Sequence, residues 1–127
     1  MTRPKNVTSF QDLDVWKRDR DIRKRLCLIA NRLPNLERYN LASQIRRAAV
    51  SLTANIAEGY GRFHFKENIQ CCRISRGSAY ELMDHLITCR DESYLTKAEV
   101  ESLHEELLIF IRLLNGYIRS IGTTGHQ

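Results

Sequence analysis

Apolar residues recur at three- and four-residue spacing along most of the chain, a period that predicts four helices and no strands. The first helix, about 13–32, carries a core stripe of Val15, Ile22, Leu26, Ile29 and Leu33, with Asp12 placed to cap its start and Pro34 to stop it. After a turn-rich stretch over 35–40, a second helix of about 41–57 puts Leu41, Ile45, Ala48, Leu52 and Ile56 on one side and ends at Gly59 and Gly61. The third, about 65–90, buries Ile69, Cys72, Ala79, Leu82 and Leu86. Gly77 and Ser78 at its middle are small enough to admit a neighbouring helix closely, although Gly costs ~1 kcal/mol against Ala. The fourth, about 97–121, starts with Thr96 and Glu99 at capping-box spacing. It continues as a seam of Val100, Leu103, Leu107, Phe110, Leu114, Tyr117 and Ile121, in alternating steps of three and four, before a frayed tail over 122–127.

The connections between these segments are short, so consecutive helices should run in opposite directions. The expected fold is all-α, an antiparallel up-down four-helix bundle occupying residues 1–127 as a single domain. A chain of 127 residues, 43% apolar and 28% charged, can close one core without a metal or a disulfide framework. No apolar run reaches the ~18 residues of a membrane span, and the polar start of the chain lacks the apolar region of a secretory signal. A cytoplasmic protein is expected, with Cys27, Cys71, Cys72 and Cys89 inside helices as reduced thiols and disulfides as the alternative.

The net charge of +5 is unevenly distributed, with the basic excess in the first half. On the first helix Lys17, Arg20 and Lys24 lie opposite the core stripe, while Arg18, Arg25 and Arg32 recur every seven residues along one flank. Arg46 and Arg47 add charge at the start of the second helix. Such a stripe can follow a phosphate backbone without reading bases. The alternative is a solvated helix face, partly neutralised by Asp14, Asp19 and Asp21. No interleaved aromatic platform for stacking bases accompanies it.

Residues 44 to 62 read QIRRAAVSLTANIAEGYGR. This segment resembles the hallmark of the bacterial four-helix-bundle proteins encoded in 23S ribosomal RNA intervening sequences. The resemblance extends upstream through Phe10, Leu13, Val15 and Trp16 and downstream through Arg76-Gly77-Ser78 and Glu81-Leu82, covering nearly the whole chain. Cys71, Cys72 and Ser75 stand where that family usually has apolar or small residues. The resemblance implies a cytosolic four-helix bundle, often a homopentamer. It also implies kinship with the accessory variability proteins of diversity-generating retroelements, basic pentamers that bind RNA and a reverse transcriptase.

Asn55, Glu58 and Arg62 are spaced three and four apart at the end of the second helix. They can be read as a catalytic carboxylate beside a cation, or as a structural polar network shared with Glu81. The structural reading is favoured. The cysteines with His64, His85, His104 and His126 show no CxxC, HxxxH or ExxH spacing, so no metal and no cofactor is expected. No phosphate loop or nucleophile elbow is present, and no enzyme is expected.

Apolar residues beyond the core stripes remain. Leu108, Ile109, Ile111, Leu113 and Ile118 on the fourth helix, and Trp16, Cys27 and Ala30 on the first, form strips costly to expose as patches. Trp16, Cys27, Leu108, Ile109, Ile111 and Ile118 are therefore the expected oligomer interface. The leading expectation is a non-enzymatic homo-oligomer binding structured RNA, or an RNA-containing complex, through Lys17, Arg18, Arg20, Lys24, Arg25, Arg46 and Arg47, with RNA or a nucleic-acid-processing protein as its partner. The alternative is a protein-binding scaffold whose arginines make ion pairs between subunits.

Overall fold

The structure is a computed structural model and describes residues 9–124. The stretches 1–8 and 125–127, including His126 and the end of the expected frayed tail, lie outside the described residues. Four helices follow one another: α1 (Asp14–Arg32), α2 (Leu41–Tyr60), α3 (Phe65–Asp91) and α4 (Lys97–Thr124), with no strand among the described residues. Short 3-10 turns precede α1 (Phe10–Asp12) and α2 (Asn35–Glu37).

Bonds between the helices run in opposite directions along each pair, which makes the neighbours antiparallel. Arg23 and Asn31 of α1 meet Thr53 and Arg46 of α2. Ser75 and Ser78 of α3 meet Leu52 and Ser51 of α2, and Met83 and Arg76 of α3 meet His104 and Asn115 of α4. The bundle closes where Arg25 and Arg32 of α1 meet Glu106 and Glu99 of α4.

Between the helices lies one core, with Leu26, Ile45, Leu52, Ile56, Leu82, Leu86, Leu103, Leu107, Phe110 and Leu114 completely buried. Removing each such side chain from water is worth ~1.5–3 kcal/mol, so this seam dominates the folding energy. Cys72 and Cys89 belong to it, fully buried free thiols pushed by desolvation to about 12 and about 11. At α4 the capping box is present, with the Glu99 amide donating to Thr96 Oγ1 at 3.1 Å and the Thr96 amide to Glu99 Oε1 at 3.0 Å.

Four local expectations are corrected. Asp12 does not cap α1: its carboxylate accepts from the Ser9 amide at 3.2 Å within the preceding 3-10 turn, and Leu13 takes the N-cap position without a side-chain bond. Gly59 does not end α2. The helix continues through it to Tyr60 and Gly61 forms the C-cap, because Gly59 is a contact point: a Cβ there would lie 2.6 Å from Asn68 Oδ1 and 2.9 Å from Cys71 Cβ. The close approach of α2 and α3 is thus made at Gly59, whereas Gly77 has nothing within 4 Å of where its Cβ would be. At the other end, α4 stays helical through residues 122–124, past the point where fraying was expected.

Candidate nucleic-acid interface

The seven-residue arginine series of α1 sorts itself by what α4 offers. Arg25 makes an ion pair with Glu106 and donates to Ser102 Oγ at 3.3 Å. One heptad on, Arg32 pairs with Glu99 at 2.8 Å and holds that carboxyl down to about 2. Glu99 and Glu106 are themselves seven apart, so the two antiparallel helices present matched rungs. The next position of the acidic series is Leu113, and Arg18 makes no ion pair among the described residues.

Lys17, Arg18, Arg20 and Lys24 are all exposed along the N-terminal half of α1. Arg20 lies with its guanidinium 5.4 Å from the centre of the Trp16 ring, and that ring meets Phe10 edge-on at 5.3 Å. Asp14 and Asp21 share the exposed surface with these cations, but Asp19 does not.

Asp19 is fully buried, and both of its carboxylate oxygens lack a hydrogen-bond partner. Desolvation raises its pKa to about 8, against a smaller lowering by Arg23, whose guanidinium donates to Thr53 Oγ1 at 2.9 Å. The carboxyl therefore keeps its proton at neutral pH and neutralises none of the basic face. The sequence did contain the signal: Val15, Asp19, Ile22 and Leu26 follow steps of four, three and four, the spacing of the core stripe.

Arg46 and Arg47 stand apart from that face. Arg46 donates to Asn31 Oδ1, and Arg47 pairs with Glu81 while donating to Gln44 Oε1 at 2.8 Å. The four residues expected to share a polar network fall into three clusters. Asn55 donates to the Ser51 carbonyl at 2.9 Å and Ser51 Oγ at 2.8 Å, and Ser51 in turn reaches Ser78 at 2.8 Å, tying α2 to α3. Glu58 pairs with Arg62 at 2.7 Å, and Arg62 also reaches Glu67 at 3.4 Å. Glu81 lies beyond both, held by Arg47 and 3.0 Å from His85 Nε2. Arg47, Ser51 and Arg62 reach α3 through Glu81, Ser78 and Glu67, whereas Asn55 bonds within α2 and Glu58 pairs with Arg62 just past its end. Among the described residues no three His, Cys, Asp or Glu side chains are grouped to hold a metal ion.

The expected oligomer surface is revised by burial. Ile111 is only 4% exposed and belongs to the core, so it leaves the set; Ala30 is buried as well. Trp16, Cys27 and Ile118 are half-buried and packed against the chain's own core, with Phe10 against Trp16. Ile109 is half-buried, and Leu108 and Leu113 are exposed. Further apolar exposure was missed: Ile74, Tyr80 and Ile87 on α3, Leu28 on α1, Val50 on α2, and Leu36, Tyr39 and Phe63 in the connections. Its signal on α3 was Tyr80 and Ile87, seven residues apart and off the stripe of Cys72, Ala79, Leu82 and Leu86.

The sequence model of the 23S rRNA-intervening sequence protein family matches residues 11–116. This chain belongs to that family. Among solved structures it is similar to a protein of unknown function from the S23 ribosomal protein family of Bacteroides thetaiotaomicron VPI-5482. The TM-score is 0.76 at 23% identity, over 83% of this chain and 95% of that one, a likeness of fold. None of the curated proteins matches. The family match takes in α1, α2 and α3 whole, and therefore the basic face, the Gly59 contact and the Asn55 cluster alike. No helix among the described residues of this 23S rRNA-intervening sequence protein is long and apolar enough to cross a membrane.

Proposed function

We propose that this protein is a non-enzymatic, homo-oligomeric bundle that binds structured RNA through the N-terminal half of α1. The observation that supports this reading is the exposed group Lys17, Arg18, Arg20 and Lys24, which makes no ion pair among the described residues while Arg25, Arg32 and Arg47 are held by carboxylates. Four cations along two helical turns suit a phosphate backbone, and the lack of a stacking platform suits recognition of shape over sequence. Repetition of the face around an assembly, taken as a pentamer from the family resemblance, multiplies weak phosphate contacts into avidity. Titrating a labelled RNA hairpin at several salt concentrations tests it. Affinity should fall as salt rises, and alanine at Lys17, Arg20 and Lys24 should flatten the dependence. No binding at low salt would sink the proposal.

A second reading, a protein-binding scaffold, is favoured by the exposed Tyr80, Ile87 and Leu108 on α3 and α4. In the first reading these side chains form the contact between subunits. Light scattering separates the two: Leu108→Glu lowers the assembly mass if copies of the chain meet there, and leaves it unchanged if another protein does.

A further inference from the structure

Where α1 hands over to α2, Pro34 and the 3-10 turn Asn35–Glu37 leave a half-open cleft of about 160 Å³. Asn31 from the last turn of α1, Asn35 and Arg38 from the connection, and Arg46 from α2 line it, over Ala30 and Ala42. At ~30 Å³ for each water it displaces, a tetrahedral oxyanion fits this volume with room for hydration.

The lining includes two guanidiniums and two amides but no carboxylate. Glu37, the acid nearest in sequence, is committed elsewhere: it accepts from the Tyr94 hydroxyl at 2.7 Å and from the Leu41 amide at 3.5 Å. Because Arg46 donates to Asn31 Oδ1, the Asn31 amide is left with its NH2 group to offer. Arg38 sits with its guanidinium 5.3 Å from the centre of the Tyr39 ring, an arrangement that leaves in-plane N–H groups for an acceptor. Neither arginine makes an ion pair among the described residues. Ala42 lies in the first turn of α2, whose Leu41 amide already meets the Glu37 carboxylate, so the field in the cleft comes from the two guanidiniums rather than from the helix end.

We infer that this cleft binds a single phosphate group, clasped by the forks of Arg38 and Arg46 with donors from Asn31 and Asn35. The inference does not rest on the RNA reading, because it uses none of Lys17, Arg18, Arg20 or Lys24. A free phosphate ion and a terminal phosphate ester present the same three oxygens to these donors.

The test is a titration of the intact protein with inorganic phosphate at constant ionic strength, balanced with chloride, followed by calorimetry and by the Asn31 and Asn35 side-chain amide resonances. Saturable one-to-one binding that shifts both amides is expected, weakened about tenfold or more by Arg38→Gln and by Arg46→Gln, and unchanged by Lys17→Ala with Arg20→Ala. Circular dichroism checks that each variant keeps its helices; if one does not, the amide shifts of the unaltered protein decide alone. A mononucleotide with a 5′-phosphate that binds more tightly than inorganic phosphate, while its 5′-hydroxyl counterpart fails to bind, assigns the ester; equal or weaker binding assigns the free ion. Non-saturating response, unmoved Asn31 and Asn35 amides, or full binding by folded glutamine variants would overturn the inference. RNA affinity lost only in the Lys17 and Arg20 variant would leave it standing.

Discussion

From Arg25 onward α1 commits its arginines to α4, each meeting a glutamate set seven residues from the last, whereas from Lys17 to Lys24 the same helix exposes four cations that make no ion pair among the described residues. The underlying core differs too: the C-terminal half packs Leu26, Ile29 and Ala30, and the N-terminal half buries Asp19 with no partner for either oxygen. One half of the helix is thus built for cohesion, and the other accepts a loss of stability beneath a surface of unpaired charge. Charge density alone does not mark a binding face; the register of the opposing helix decides which cations remain available.

Replacing Asp19 should give the largest effect. The native carboxyl keeps its proton up to about pH 8, while the unfolded chain releases it near the ordinary 3.8. Folding therefore takes up a proton between those values, and the stability of the protein falls as pH rises through that window and levels off above it. Each tenfold in proton affinity is worth ~1.4 kcal/mol, so Asp19→Ala should stabilise the fold at pH 8 by on the order of 3 kcal/mol after the loss of side-chain packing. Urea denaturation at pH 5 and pH 8 checks it. Equal stability gains at both pH values would show that the carboxyl titrates normally.

Next in size, alanine at Lys17, Arg20 and Lys24 together should lower RNA affinity by roughly tenfold or more at low salt. The slope of log affinity against log salt should shrink by up to ~2.7, at ~0.9 for each phosphate no longer neutralised. Thermal stability should stay within ~0.5 kcal/mol, as for other surface changes. A matching loss of stability would erase the difference between the two halves.

The bundle was legible where its signals are local. The α4 seam from Val100 to Ile121 and the Thr96–Glu99 box announce themselves within a few residues, and both are present in the structure. The rungs were not, because the partners of Arg25 and Arg32 lie 81 and 67 residues later, and no short-range pattern names them. Gly59 reads as a stop by propensity, yet close packing on Asn68 and Cys71 keeps it inside the helix. Asp19 was misplaced for another reason: its charge suggested solvent while its spacing pointed to the core. Ile111 erred the other way, since a core served by neighbours on two sides takes a wider stripe than one seam describes.

Smaller effects sharpen the contrast. Arg25→Ala should cost ~0.2–1 kcal/mol, the range of partly exposed ion pairs, and Arg32→Ala should lower stability in the same direction. Both should leave RNA affinity unchanged; a guanidine melt and the hairpin titration read the two quantities. Least of all, Leu113→Glu should add the missing rung opposite Arg18. The expected gain is at most ~0.5 kcal/mol, visible in a double-mutant cycle with Arg18→Ala and accompanied by slightly weaker RNA binding.

Cys72 and Cys89, fully buried and with thiols of raised pKa, also supply the bundle with internal clocks. An alkylating reagent reacts with thiolate, so neither sulfur is modified until α3 swings away and lets water in. Cys27 on α1 is only half-buried and keeps time for a shallower event. In one labelling experiment, the order in which the three are modified reports the order in which the helices let go of one another.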